Sequence, residues 1–252
     1  MVRILLMTLL TALALYAASY EIEVGGFNPE FTGDITNPSS RAAFDSDLGY
    51  RKTFISYFGA DAKFFNPYLP DVKIGYMNIL ERQSVTLKHS KNFVKQDYND
   101  SITSQIDYKV LNLTLYKTLH QPVSFDFRGK HFALGDIFVE LGGNLKYLDY
   151  RFDVQDNTDD PTKKFIALDT FIVMPYIGLQ YQYSPITLFA SGSALGFSTT
   201  KSNNFRGGIS FRFIKHLAIN GGYMYENIKS TEQEDKINFT SAGPYGSISI
   251  RF

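Results

Sequence analysis

The chain has 252 residues, with 25 Lys and Arg against 25 Asp and Glu, 17 Tyr, 22 Phe, and neither Cys nor Trp. A balanced charge leaves no basic excess to neutralise nucleic-acid phosphates, so no nucleic-acid partner is expected. Without cysteine the fold cannot be a disulfide-stapled scaffold, and backbone hydrogen bonds and packing must hold it.

The chain opens MVRILLMTLLTALALYAAS. Arg3 supplies a positive start, and Ile4 to Leu15 form an apolar run. That run suits the core of a secretory signal and is short for a membrane-spanning helix. No polybasic run follows it, which argues against a retained anchor. Small residues at Ala17 and Ser19 place cleavage after Ser19. Residues 1–19 thus read as a signal peptide, and 20–252 as one domain of about 230 residues.

From Tyr20 onward the chain alternates, about ten times over, in the manner of strands with two unlike faces. Segments 20–31, 52–65, 72–80 and 106–118 come first, the last with Leu111, Leu113 and Leu115 on one face. In 136–152, Ile137, Val139, Leu141, Leu145 and Tyr147 oppose Glu140, Asn144 and Lys146. In 171–183, Phe171, Val173, Ile177, Leu179, Tyr181 and Tyr183 oppose Tyr176, Gln180 and Gln182. Segment 184–197 is rich in small residues, and its outward face is not legible. Phe205, Ile209, Phe211 and Phe213 then oppose Arg206, Ser210 and Arg212; Ile219, Tyr223 and Tyr225 oppose Asn220 and Glu226; Ile248, Ile250 and Phe252 oppose Ser247, Ser249 and Arg251.

Long polar connections are expected at 32–51, 81–104, 153–166 and 228–238, and short ones near 66–71, 184–186 and 214–216. Segment 117–135 breaks this rule, as an irregular stretch or a further hairpin. Pro175 falls in mid-strand and implies a bulge. Pro29 and Pro244 fit near the outer rim of the closing strands.

Alternating long and short connections signal an up-and-down barrel whose rims face different compartments. The apolar face could point inward, as in a soluble barrel, or outward to lipid. Strands of 10 to 14 residues exceed the usual soluble length and suffice to cross a bilayer. The polar faces mix Gly, Ser and Asn with isolated charges of both signs, which suits a tight interior. Aromatics at strand ends (Tyr147, Tyr150, Phe152, Tyr181, Tyr183, Tyr223, Tyr225 and Phe252) fit interfacial girdles. The expected fold is all-β: an antiparallel up-and-down transmembrane β-barrel of about ten strands, with eight or twelve possible.

The ending GPYGSISIRF resembles the terminal signal of bacterial outer-membrane proteins, carried here by Tyr245, Ile248, Ile250 and Phe252. The resemblance implies the barrel assembly machinery and periplasmic chaperones as biogenesis partners, and outer-membrane lipid as the surroundings. EVGGFNPEFTGDI (23–35), residues 48–76, LNLTLYKTL (111–119) and ELGGNLKYLDYRF (140–152) further resemble the small outer-membrane β-barrels of the OmpA/OmpW-like kind, within a poorly characterised family. It implies a place, the bacterial outer membrane, more than an activity.

Chemistry is sparse. His89, His120, His131 and His216 show no Asp–His pairing of the omptin kind and no His/Ser pairing of barrel lipases. Asp153, Asp156, Asp159 and Asp160 lack the alternation and central Gly of a calcium loop. No catalytic residue, metal site or cofactor is expected. The remaining candidate is the polar interior: Glu140, Asn144, Lys146, Arg206, Arg212, Asn220, Glu226 and Arg251. These residues either form ion-paired structural layers or line a narrow pore. The expectation is a monomeric, non-enzymatic barrel with a structural or surface-contact role. A narrow channel for small solutes is the first alternative and an outer-membrane hydrolase the second.

Overall fold

The computed structural model describes residues 19–36, 41–50, 52–64, 66–87, 91–93, 96–98, 101–128, 130–157, 163–194, 199–231 and 236–252. Residues 1–18, His89, Asp159, Asp160 and the acidic run 232–235 lie outside them, as does the side chain of His131. The strands are β1 (Ser19–Phe27), β2 (Glu30–Thr36), β3 (Arg41–Ala43), β4 (Ile55–Lys63), β5 (Asp71–Thr86), β6 (Lys91–Phe93) and β7 (Gln96–Tyr98). They continue with β8 (Ser101–Phe127), β9 (Lys130–Asp156), β10 (Lys163–Tyr183), β11 (Ile186–Ser193), β12 (Thr200–Ile214), β13 (Leu217–Ser230) and β14 (Lys236–Arg251).

The main sheet is antiparallel and closes on itself. The ladder runs β1, β4, β5, β8, β9, β10, β11, β12, β13, β14, and β14 returns to β1 from Glu21↔Arg251 to Phe27↔Tyr245. Closure pairs the β1 and β14 edges with each other, as a lipid-surrounded sheet requires. Beyond the last rung, Phe252 donates its amide to the Tyr20 carbonyl at 2.8 Å, and the two rings stack at 4.7 Å. β2 prolongs β1 along the upper part of β14 and carries β3, while β6 and β7 form a separate hairpin.

The expected long loops are largely strand. β5 runs to Thr86, β8 starts at Ser101, β9 reaches Asp156, and β10 starts at Lys163. β13 reaches Ser230, β14 starts at Lys236, and β2 and β3 fall within 32–51. These extensions keep period-2 alternation with its faces exchanged. On β9, Leu141, Leu145 and Tyr147 point outward and Glu140, Asn144 and Lys146 are buried within. Past Tyr147 the outward row turns polar, at Asp149 and Arg151, and the inward row becomes Leu148, Tyr150, Phe152 and Val154, all buried. β8 inverts at the same rungs: Asp107 and Lys109 face out above Leu111, Leu113 and Leu115, while Ile102, Ile106, Tyr108 and Val110 are buried. β8 and β9 therefore each meet two surroundings, lipid below and water above.

Tyr150 and Phe152 consequently leave the expected girdle for the interior, where each is at most 2% exposed. Tyr183, Tyr223, Tyr225 and Phe252 remain on the outer surface.

Above the inversion the ring divides into two facing sheets. β11 pairs with β10 only from Tyr176↔Ser193 to Tyr183↔Ile186. β4 pairs with β5 only as far as Tyr57↔Met77. The upper parts of β5, β8, β9 and β10 thus form one sheet, and those of β12, β13, β14, β2 and β3 the other. Their inner faces meet in an aromatic core. The Phe239 ring lies 5.5 Å from Tyr108, 5.9 Å from Tyr150, 5.4 Å from Phe44 and 5.5 Å from Phe31. Each buried aromatic removes roughly 150–250 Å² from water, which makes such a cluster the main source of cohesion.

The prolines answer to this layout. Pro175 needs no bulge, because β9 and β10 keep one register through Pro175↔Gly143. It stands one residue above the last β11 rung, where β10 has become an edge that tolerates a missing N–H. Pro29 and Pro244 meet within the wall rather than at its rim. The chain breaks between β1 and β2 at Asn28 and Pro29, opposite Gly243 and Pro244, and Asn28 donates to the Pro244 carbonyl at 3.0 Å. A Cβ on Gly243 would fall 2.2 Å from the Asn28 carbonyl oxygen, so the close approach requires glycine.

Segment 117–135 is a hairpin extension of β8 and β9 with one register shift at Val123/Ser124. Gly135, opposite Val123, takes φ +121°, open to glycine at little cost.

Candidate functional site in the polar lumen

Below the aromatic core the lumen is polar. Glu140, Asn144, Lys146, Arg206, Arg212, Asn220, Glu226 and Arg251 lie on inward-facing positions of β9, β12, β13 and β14. Tyr245 also turns inward, 4.5 Å from the Arg206 guanidinium, so it stands apart from the outward row Ile248, Ile250 and Phe252. The reason is parity: an odd position on β14 shares its face with Ser247, Ser249 and Arg251.

The charges are grouped. In the uppermost group Lys146 donates to Glu226 at 2.6 Å and to Ser202 at 2.8 Å, and Tyr108 donates to Glu226 at 2.6 Å. In the second, Lys73 bonds Glu140, which also accepts from Tyr176 at 2.7 Å and Gln180 at 2.8 Å. Lys73 lies 3.9 Å from Asp61, which accepts from Tyr116 at 2.6 Å, and sits 4.4 Å from the Tyr116 ring centre. In the third, Arg206 grips Glu23 through both terminal nitrogens, one at 2.8 Å. Glu23 also accepts from Tyr57 at 2.8 Å and Asn220 at 3.1 Å. Near the short-turn rim Arg251 donates to Glu21 at 2.9 Å. Charge-assisted and bidentate bonds of this kind are the strong ones, and removal from bulk water makes their completeness matter.

Several of these partners were not singled out from sequence: Glu21, Glu23, Tyr57, Asp61, Lys73, Tyr108 and Tyr116. For β1 the signal was present. In YEIEV, Glu21 and Glu23 alternate with Ile22 and Val24 just as the later strands do.

The groups surround a chamber of about 320 Å³, lined among others by Glu23, Asp61, Lys73, Glu140, Asn144, Phe189 and Arg206. Arg212, Gln182 and Thr187, near the short-turn rim, are partly exposed. Ile102, Phe152 and Ile166, at the other end of the barrel, are at most 1% exposed. Among the described residues, the partly exposed lining thus lies at the short-turn rim, and buried apolar side chains lie beyond the chamber's other end. Within segment 184–197, Ile186 and Leu188 are exposed outward and Phe189 and Ser193 face the lumen, while 195–197 lie outside the described residues.

One acid–histidine contact was missed. His120 Nε2 lies 2.7 Å from Asp136 at the short-turn rim, with its ring stacked on Phe138 at 4.8 Å. The two residues are sixteen apart in the chain and meet only because the hairpin register aligns them. His216 Nδ1 lies 2.7 Å from the Arg251 carbonyl. Asp153 is held by Arg151 at 3.0 Å. Among the described residues no group of three His, Cys, Asp or Glu could hold a metal ion.

A closed antiparallel ring with an apolar outer belt and an ion-paired polar lumen defines a transmembrane β-barrel of the outer-membrane kind. No protein-family model matches the chain, and no curated protein matches it. Among solved structures it is similar to the outer membrane protease OmpT from Escherichia coli (9% identity, covering 94% of this chain and 97% of that one, TM-score 0.43). It is also similar to the P. putida toluene transporter TodX (9% identity, 95% and 91% covered, TM-score 0.35) and to Ail, the attachment invasion locus protein of Yersinia pestis (10% identity, 94% and 99% covered, TM-score 0.33). The likeness is one of fold, and no activity passes from any of them to this chain.

Proposed function

We propose that this barrel is a closed, non-enzymatic protein of the bacterial outer membrane that carries a β-sandwich head above the lipid for surface contacts. One observation carries the reading. Among the described residues, the aromatic core around Phe239 packs above the Lys146–Glu226 pair, which supports a lumen closed toward the head. The outward faces of the head carry polar residues such as Arg82, Asp107, Lys109, Asp149 and Arg151 beside the exposed Leu80 and Phe165, which suits a surface open to water and to contacts.

The test is single-channel recording of refolded residues 20–252 in a planar bilayer, with folding checked by heat-dependent gel mobility. The inserted protein should be silent. Discrete steps that change with Arg206→Ala or Glu140→Ala would overturn the closed reading. They would favour a narrow channel, the second reading, whose support is the partly exposed lining at the short-turn rim.

A further inference from the structure

The β8–β9 hairpin outruns its neighbours on the short-turn side. The last β5 rung is Asp71↔Tyr116 and the last β10 rung is Gln182↔Asp136. From there Lys117–Pro122 pair only with Asp136–Leu141 of β9, and Val123–Phe127 and Lys130–Gly135 pair only with each other. A lone two-stranded ribbon is marginal in water, so a surface that covers one side would stabilise it.

The ribbon has two unlike sides. Leu119, Val123 and Phe125 continue the outward row of Leu111, Leu113 and Leu115, with Lys117 and Gln121 between them. Phe132 stands opposite Phe125 with the rings stacked at 5.1 Å, and both are more than 40% exposed. The other side carries Thr118, His120, Ser124, Asp126 and Asp136. Tyr181, on the lipid-facing row of β10, donates to the Leu134 carbonyl, which ties the ribbon to that side of the wall. Arg128 and Lys130 sit at its tip.

We propose that the aromatic side of this ribbon lies on the inner leaflet as a flap that binds the phospholipid surface. The occupant follows from continuity: the lipid-facing row runs on into the ribbon without changing face, its apolar residues Leu119, Val123 and Phe125 interspersed with Lys117 and Gln121. Phenyl rings then sit at headgroup depth, and the tip cations reach lipid phosphates, as long basic side chains do at an interface. The inference rests on the barrel spanning the membrane.

The chain has no Trp, so any introduced indole is a sole reporter. Phe125→Trp, Ser124→Trp on the opposite side, and Val173→Trp in the belt would each be refolded into phosphatidylcholine vesicles with and without bromine near the headgroup. Phe125→Trp should emit at shorter wavelength than Ser124→Trp and lose several-fold more intensity to brominated lipid. Phe132→Trp should behave as Phe125→Trp does, and it replaces that variant if the first does not fold. Phe125→Trp quenched by aqueous iodide as fully as Ser124→Trp overturns the proposal. So does shielding from both quenchers, which would mean that protein covers the face. Val173→Trp unquenched by lipid would instead sink the membrane reading on which the flap depends.

Discussion

Lys146 and Glu226 meet at 2.6 Å from non-adjacent strands of the ring, β9 and β13, at the level where the polar chamber ends and the aromatic core begins. Lys146 is fully buried and Glu226 nearly so. Removing one member strands the other charge away from water. Lys146→Met is expected to cost about 3–5 kcal/mol, and Lys146→Met combined with Glu226→Leu to recover part of that loss. Guanidinium unfolding in vesicles measures both. Equal loss in the single and double variants would show that the pair adds nothing beyond its volume.

The exchange of faces along β10 predicts opposite tolerance on one row of one strand. Val173 and Ala167 both point outward, below and above the inversion. Val173→Arg puts a cation in lipid one outward position below the boundary and should cost about 1–2 kcal/mol, between the interfacial and midplane values. Ala167→Arg should stay within about 0.5 kcal/mol. Similar costs at the two sites would remove the two-surroundings description.

β12 and β13 approach so closely that a side chain cannot fit between them. A Cβ on Gly222 would stand 2.1 Å from the Gly207 carbonyl oxygen, and one on Gly208 would stand 2.3 Å from that of Gly221. Gly222→Val should therefore lose the compact, heat-sensitive band on gels run without boiling. An unchanged band would mean that the backbone yields at small cost.

Phe239 joins both sheets of the head. Phe239→Ala should cost about 3–5 kcal/mol. In vesicles the head should become more sensitive to added protease, while the belt stays protected by lipid. Uniform sensitivity along the chain would mean that head and belt unfold as one unit.

Much of this architecture could be read in the residues. The outward rows from Leu111 to Leu115 and from Ile137 to Tyr147 identify strands and lipid. The head was harder to read. Its outward residues, such as Arg82, Ser84, Thr103 and Gln155, give 81–104 and 153–166 a polar composition that looks like loop. The inverted alternation of Tyr150, Phe152 and Val154 is plain only when the phase is traced past Tyr147. The ion pairs were out of reach for another reason. Arg206 and Glu23 are 183 positions apart, and nothing local joins them before the ring closes.

The inversion also sets how deep the protein sits. If a strand slid by one residue, lipid would meet its charges and water its rings in both halves at once. Sliding by two would keep each side chain on its own face, yet would lift one strand's boundary by about 7 Å against its neighbours. The rung where Tyr147 pairs with Leu111 thus acts as a waterline drawn into the sequence itself. Membrane thickness and strand alignment must agree on it together.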